Sequence, residues 1–156
     1  MVSEAMRLDR RPSAEHLIPG LYTLARHWFD RDDLVACEKI LRLILTIEAR
    51  VQGITAREVV LSSLDLARVL VKTDRYMEAE EQFLQTLNRC NQMMQDDHPV
   101  LGVTLREYGA LLREMKFSHA AEVMEKRAEL FDEHIAPSTT ARAREARVKI
   151  DTATIS

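Results

Sequence analysis

The chain has 156 residues and a formal net charge of -3, with 46% hydrophobic and 30% charged residues. This is the composition of one soluble globular domain, and its slight acidity gives no general attraction to nucleic acid or to an anionic membrane. No apolar run approaches the roughly 18 residues that a membrane span needs, and the charged N-terminus lacks the apolar core of a secretory signal. We therefore expect a cytoplasmic protein.

Residues that favour helix dominate the chain, which contains only four glycines and four prolines. Unbranched side chains lose little rotamer freedom in a helix, so their abundance predicts an all-α fold. In chain order, we predict six helices at residues 15–30, 33–51, 56–73, 76–95, 99–115 and 118–135. Asp32, Thr55 and Ser118 are the predicted N-caps, and Gly53 is a predicted C-terminal stop.

Prolines limit several of these helices. Pro19 stands inside the first one, which is therefore expected to begin late or to kink. Pro99 suits the first turn of a helix, whereas Pro137 is predicted to end the last of the six. Beyond it, residues 138–156 are predicted to form a capping helix and a tail.

Three segments of the chain align when it is shifted by 42 residues, and two sets of small residues recur at this spacing. The sets are Ala25, Ala67 and Gly109 on the first helix of each pair, and Cys37, Ala79 and Ala121 on the second. Small side chains let two antiparallel helices approach closely where they cross. Each hairpin then keeps an apolar face that it cannot bury alone, so neighbouring hairpins must stack.

Short motifs accompany the repeat. They are Leu66-Ala67, Asp74-Arg75-Tyr76, Glu78-Ala79-Glu80 and Asp97-His98-Pro99. These motifs resemble the tetratricopeptide repeat (TPR) family, and within it the 42-residue variety of kinesin light chains. The resemblance covers residues 14–135 and implies a right-handed α-solenoid of three TPR-like hairpins. We place the repeats at 14–55, 56–97 and 98–137, after an N-terminal arm at 1–13 that is either disordered or folded over the first hairpin.

Motifs for catalysis are missing from the sequence. The five histidines share no helical face with carboxylates at metal-ligand spacing, and no nucleophile elbow, phosphate loop, CxxC or HExxH motif occurs. Cys37 and Cys90 are interpreted as small buried residues of a reducing compartment rather than as a reactive pair. We predict no enzymatic activity, no metal and no cofactor.

The first helix of each repeat lines a concave groove in tetratricopeptide arrays, so the resemblance assigns a set of residues to partner binding. This predicted groove consists of Tyr22, Arg26, Phe29, Leu64, Arg68, Val71, Lys72, Arg106 and Arg113. Five of these nine residues are basic and none is acidic, which would suit an acidic or amphipathic segment of a partner protein. The alternative is that these are solvated cations, partly neutralised by Asp65, Glu107 and Glu114.

The predicted function is that of a non-catalytic adaptor or scaffold that binds another protein, but not nucleic acid or a membrane. Two alternatives remain open: a structural subunit that docks by its flanks, and a small secretion chaperone of the TPR type. Such chaperones usually follow a spacing of roughly 34 residues, which differs from the one here. Leu43 and Ile47 exceed what the core of the second helix needs, so the arm or another chain is expected to cover them, and a homo-oligomer is one possible outcome.

Overall fold

The computed structural model of the chain describes residues 14–50, 56–93 and 98–153. A short 3-10 turn at Ala14–Leu17 precedes six α-helices within these ranges. The helices are α1 (Ile18–Asp30), α2 (Leu34–Arg50), α3 (Ala56–Lys72), α4 (Tyr76–Met93), α5 (Pro99–Glu114) and α6 (Ser118–Ala153). The described ranges contain no strand, and the predicted all-α class of TPR-like hairpins is confirmed.

Consecutive helices pair into hairpins, which belong to two compact units. The first unit, Met1–Met94, holds the α1–α2 and α3–α4 hairpins, with α2 packed against α3. The second unit, Gln95–Ser156, is the α5–α6 hairpin. The middle four helices lie within two residues of their predicted ends. None of the helices in the described ranges combines the length and the apolar character that a membrane span requires.

Some predictions concern residues outside the described ranges. They are the N-terminal arm at 1–13, the N-cap Thr55, the stop Gly53 and the repeat boundaries near 55 and 97. All of these stay predictions.

The same turn joins the two helices of every hairpin. Asp32, Asp74 and Lys116, which are 42 residues apart, have φ angles of 61°, 58° and 68°. After each of them, the N–H of the next residue donates to the carbonyl five residues back, as Asp33 does to Trp28 at 3.0 Å. This is a Schellman ending, which satisfies carbonyls that the C-terminus of a helix leaves without intrahelical donors. The repeat in sequence is therefore also a repeat of backbone geometry.

The N-cap of α2 is Asp33, and the prediction of Asp32 was wrong by one residue. Asp33 Oδ1 accepts a 3.0 Å hydrogen bond from the Ala36 N–H, whereas Asp32 occupies the left-handed position of the turn. Aspartate is favourable at an N-cap and is tolerated in the left-handed region, so two adjacent aspartates cannot be told apart by type. Ser118 is the first residue of α6, and the Phe117 carbonyl accepts the first helical bond, so Phe117 holds the cap position.

Two prolines stand at helix starts. α1 begins at Ile18 with Pro19 in its first turn, so the expected late start is confirmed. α5 begins at Pro99, and His98 is its N-cap, with Nδ1 accepting a 3.3 Å bond from the Val100 N–H. A proline in the first turn costs no hydrogen bond because an N–H there would have no intrahelical acceptor.

Pro137 does not end the last helix, contrary to the prediction. α6 is continuous from Ser118 to Ala153, so the residues expected to form a separate capping helix extend α6 instead. An interior proline removes one backbone hydrogen bond and costs about 3 kcal/mol. The alanine- and arginine-rich sequence that follows has high helix propensity, and once a helix exists each further residue is added without a new nucleation step.

The small residues that define the repeat are buried where the helices cross. Ala25, Cys37, Ala67, Ala79 and Ala121 are each exposed by 2% or less. A Cβ atom added at Gly109 would lie only 3.3 Å from Glu125 Cγ on α6. Phe83, Leu41 and Leu70 are among the large side chains that fill the core around these crossings. The close packing expected at these positions is present.

Replacing Ala79 with leucine is expected to lower the free energy of unfolding by about 1–3 kcal/mol, because the crossing has no room for a larger side chain. Glu81→Leu, at an exposed position of the same helix, is the matched control and should change stability by no more than about 0.5 kcal/mol. Denaturant titrations followed by far-UV circular dichroism measure both values. Equal losses for the two variants would show that the face of α4 is assigned incorrectly.

Replacing Lys116 with glycine is expected to raise the free energy of unfolding by about 0.5–1 kcal/mol. The left-handed conformation costs a residue with a side chain about 1–2 kcal/mol, which exceeds the entropic cost of glycine. Lys126→Gly, in the interior of α6, should instead lower stability by about 1 kcal/mol. The same denaturant titrations decide the matter, and a loss of stability in both variants would contradict the role assigned to the turn.

Candidate partner-binding surface

Tyr22 lies where α1 faces α3, and its hydroxyl donates a 2.6 Å hydrogen bond to Asp65 Oδ2. The side chain is half-buried. Burial, the bond to Asp65 and the negative charge of Asp65 raise the pKa of Tyr22 to about 12, and Arg26 acts in the opposite direction. The phenol therefore stays protonated at neutral pH and ties the two first helices of the unit together.

Asp65 also joins Tyr22 to Arg68. Its Oδ1 accepts a 2.8 Å hydrogen bond from Arg68 Nη1, one turn further along α3. One carboxylate thus holds a phenol from α1 and a guanidinium from α3, and we call these three residues the Asp65 bridge. The sequence identified Asp65 as an acidic neighbour of the predicted groove, but not as the residue that connects its parts.

Phe29 and Lys72 meet at the other end of the same two helices. Lys72 Nζ lies 4.7 Å from the centroid of the Phe29 ring, a cation–π contact that contributes about 0.5–1 kcal/mol at an exposed site. The same ammonium lies 3.6 Å from Asp32 Oδ1, in an exposed pair that adds little stability. The structure therefore brings Tyr22 close to Arg68 through Asp65, and Phe29 close to Lys72, and each pair has an acidic neighbour.

Leu64 is not an accessible groove residue. It is 2% exposed and belongs to the core, whereas Val71 is half-buried. Asp65, the next residue, is the one that reaches the surface. The residues 42 positions before and after it, Tyr22 and Arg106, are half-buried and exposed, so the same repeat position differs in exposure from one hairpin to another.

Arg106 and Arg113 belong to the second unit and are paired within the α5–α6 hairpin. Arg106 Nη1 donates to both carboxylate oxygens of Asp132, at 3.0 and 2.9 Å. Arg113 donates through Nε and Nη2 to the two oxygens of Glu125, and these hydrogen bonds raise the pKa of Arg113 and lower that of Glu125. The acids lie 26 and 12 residues further along the chain, so spacing within one helix did not reveal them.

A largely apolar cavity of about 280 Å³ opens beside Tyr22, between the N-terminal halves of α1 and α3. Its lining residues are Ile18, Pro19, Tyr22, Thr23, Glu58, Leu61 and Ser62. An apolar pocket with a few polar groups at its edge is the usual form of a site that accepts an anchoring group. We call it the α1–α3 cavity. Sequence analysis identified only Tyr22 here, because helix periodicity describes faces and not the gaps between helices.

Glu48 is a half-buried carboxyl in the C-terminal half of α2. Its Oε1 lies 3.4 Å from Ser62 Oγ, while Oε2 has no hydrogen-bond partner within the described ranges. Burial raises the pKa of Glu48 to about 7, although the positive charge of Arg89 acts in the opposite direction. The group therefore titrates near neutral pH.

Metal binding and thiol reactivity can be judged from the described residues. No group of three or more His, Cys, Asp or Glu side chains in the described ranges could hold a metal ion. Cys37 and Cys90 are buried free thiols, and burial raises the pKa of Cys37 to about 11. Since the thiolate is the nucleophilic form, a thiol that stays protonated at neutral pH is unreactive.

The fold is similar to those of solved TPR-like proteins. A Podosopora anserina protein, described as a kinesin light chain with nearly identical TPR-like repeats, matches with a TM-score of 0.64 and 16% identity over 76% of this chain and 56% of its own. A variant of that protein matches with a TM-score of 0.67 and 14% identity, over 84% of this chain and 62% of its own. BtubC (BKLC) from P. vanneervenii has a TM-score of 0.69 and 15% identity, over 86% of this chain and 54% of its own.

These likenesses establish the fold. By sequence, no family model and no curated protein matches the chain, and identities of 14–16% carry no information about a particular partner. The chain spans between 54% and 62% of the length of these three structures. The sequence resemblance to TPR-like repeats is confirmed at the level of structure, and such repeats generally present surfaces that bind other proteins.

Glu48→Gln is expected to change how stability depends on pH. The folded carboxyl keeps its proton up to about pH 7, whereas the unfolded one loses it near 4.5, so unfolding releases a proton in this interval and stability falls as the pH rises through it. Above pH 7 the glutamine variant should be more stable than the parent by about 1–3 kcal/mol. Below pH 4.5, the ordinary pKa of the carboxyl, the two proteins should have nearly the same free energy of unfolding.

Urea titrations at several pH values measure this difference. Glu129→Gln removes one carboxylate from an exposed position of α6 and should stay within about 0.5 kcal/mol of the parent throughout. A Glu48→Gln variant that is destabilised above pH 7 would show that the ionised carboxylate is favourably held in the fold.

Proposed function

We propose that this chain is a non-catalytic adaptor that holds a segment of a partner protein against the surface formed by α1 and α3. The observation that supports this most is the position of the α1–α3 cavity directly beside the Asp65 bridge. An apolar cavity next to ordered polar groups can fix both the position and the orientation of a bound segment. The general use of TPR-like repeats in protein binding agrees with this proposal.

The cavity supplies the apolar part of recognition. Its side walls come from Ile18 and Leu61, and Tyr22 stands between it and Asp65. Removing an aliphatic or aromatic side chain of the partner from water there would contribute about 1.5–3 kcal/mol. We therefore propose that the bound segment carries at least one apolar anchor.

Basic side chains supply the polar part. Arg26 is exposed and Arg68 is partly exposed beside Asp65. An acidic residue of the partner would share these cations with Asp65 and the Tyr22 hydroxyl, so charge contributes to association rate and orientation more than to affinity. We propose that the bound segment is acidic or amphipathic.

We place this adaptor in the cytoplasm. Cys37 and Cys90 are both buried and unpaired, which suits a reducing compartment.

Thr23→Phe is expected to weaken binding by about tenfold or more, since a ring at the mouth of the cavity excludes the anchor. The probes are peptides selected from a random displayed library on the parent protein, with affinities measured by calorimetry. Thr46→Phe is the matched control, because Thr23 and Thr46 are both exposed helical threonines whose hydroxyls donate to the carbonyl four residues back.

The control should bind the selected peptides as tightly as the parent, with all melting temperatures nearly equal. The double change Arg26→Glu and Arg68→Glu should slow association of acidic peptides and reduce its dependence on salt. If the peptides tolerate Thr23→Phe but are lost on Thr46→Phe, binding occurs on the second helices. The alternative of a structural subunit that docks by its flanks then replaces the present proposal.

A further inference from the structure

The α1–α2 hairpin carries an apolar face on the side opposite its contacts with α3 and α4. On each helix, residues recur at spacings of four, three and four, which places them on one side. We call the eight residues the outer face: Leu17, Leu21, Leu24 and Trp28 along α1 and its cap, and Ala36, Ile40, Leu43 and Ile47 along α2. Leu17, Leu24 and Leu43 are 52%, 42% and 48% exposed, and the other five are half-buried.

The direction of the outer face follows from contacts on the other flank of each helix. On α1, Tyr22 bonds to Asp65 of α3. On α2, both oxygens of Glu38 accept 2.8 Å bonds from Arg75, which precedes α4. Because successive helix residues turn by about 100°, the outer face points away from these contacts. The apolar positions that the sequence singled out, Leu43 and Ile47, are part of this face.

The repeat itself does not require these positions to be apolar. Moving 42 residues along from the four α2 positions leads to Glu78, Gln82, Gln85 and Arg89 on α4. That side of α4 faces α2, with Arg42 Nη2 at 3.4 Å from Glu78 Oε2, and the other three residues line a cleft between these helices. Thus α4 is polar where a hairpin adjoins it, whereas α2 is apolar on the corresponding outer side. An exposed apolar face of this kind is typical of a surface that another molecule covers.

The charge around the outer face identifies what kind of molecule this is. Arg31 follows Trp28 by three residues, and Lys39 precedes Leu43 by four, so both stand at the edge of the face. Both are exposed, and neither forms an ion pair within the described ranges. The edge of the apolar face is therefore positive.

Three acidic residues of the same hairpin have partners away from the outer face. Glu38 is bonded to Arg75 on the side of α4, and Asp33 caps α2. Asp32 lies 3.6 Å from Lys72 of α3. None of these carboxylates is placed to neutralise the edge of the outer face.

We propose that the outer face docks an amphipathic helix of a partner protein, in which glutamate or aspartate residues flank a leucine-rich stripe with i, i+3, i+4, i+7 spacing. Two adjacent helices form a groove into which the side-chain ridge of a third helix fits. The acidic flanks of that helix would meet Arg31 and Lys39. This site is separate from the α1–α3 surface and does not depend on the function proposed for it.

Charge also disfavours the other occupants. A second copy of the chain docked by the same face would bring two positive edges together. Residues 1–13 contain three arginines and two acidic residues, so they share the sign of that edge. An anionic membrane surface is usually recognised by about four to eight clustered cations, whereas the outer face has two at its edge.

Trp28 gives a direct measurement, because it is the only tryptophan of the chain and lies on the outer face. The probe is a synthetic helical peptide without tryptophan, with leucine at the stripe positions and glutamate beside them. A second peptide has lysine in place of every glutamate. The glutamate peptide is expected to shift the Trp28 emission to the blue in a saturable manner, and to bind about tenfold or more tightly than the lysine peptide.

Four variants locate the site. Leu24→Gln with Leu43→Gln should weaken the glutamate peptide by about tenfold or more without changing the melting temperature. Val35→Gln is the matched control, since Val35 is 65% exposed on α2 but lies off the outer face, and it should bind as the parent does. Arg31→Glu with Lys39→Glu should make the lysine peptide the tighter ligand. Thr23→Phe should leave all of this unchanged, which separates the two proposed surfaces.

Several results would overturn the proposal. Equal affinity for both peptides would show that charge does not select the ligand. Equal losses of affinity in Val35→Gln and in the double leucine variant would show that binding does not occur at the outer face. Self-association in analytical ultracentrifugation that the double leucine variant abolishes would make a second copy the occupant. A blue shift of Trp28 with phosphatidylserine vesicles, and none with the glutamate peptide, would make the occupant a membrane surface.

Discussion

Close approach of two antiparallel helices at a small residue is the constraint on which each hairpin depends. In the α5–α6 hairpin, a Cβ atom at Gly109 would lie 3.6 Å from the backbone oxygen of Ala121 and closer still to Glu125. The Schellman turn at Lys116 reverses the chain between these two helices within a few residues. The helix crossing and the turn recur at 42-residue intervals, so all three hairpins have the same local structure. The side chains outside the crossing can therefore differ between hairpins.

Those differences give the α1–α2 hairpin two unlike sides. Towards α3 and α4 it presents Tyr22 and Glu38, whose polar groups bond to Asp65 and Arg75. On the opposite side it presents an apolar face with exposed cations at its edge. Asp65 and Glu38 thus stabilise the unit, whereas the apolar area of the outer face and the cations at its edge remain accessible to another molecule. The α1–α3 cavity and the outer face are therefore separate surfaces with different chemistry, although both include residues of α1.

Helix positions could be predicted from the sequence because they depend on local preferences that recur in every repeat. The failures occurred where two local preferences compete. Asp32 and Asp33 suit both the left-handed turn and the N-cap, and Pro137 opposes a following sequence that favours helix. The prediction for Leu64 was wrong for a different reason, since the repeat position that is accessible at Tyr22 and Arg106 is buried in the middle hairpin.

By itself, the sequence determined the all-α class, the 42-residue repeat, the buried small residues and the excess of apolar positions on α2. Each of these features follows from the spacing of residues along one helix or between equivalent helices. The tertiary structure decided which cations stay available. Arg106 and Arg113 belong to one basic set in the sequence, yet each is held by a carboxylate of the next helix, 26 and 12 residues further along the chain. Charge pairing depends on distances of a few ångströms between side chains, and the cavity beside Tyr22 depends on the gap between two helices. Neither quantity is encoded in the periodicity of a single helix, so both appear only when the helices are packed.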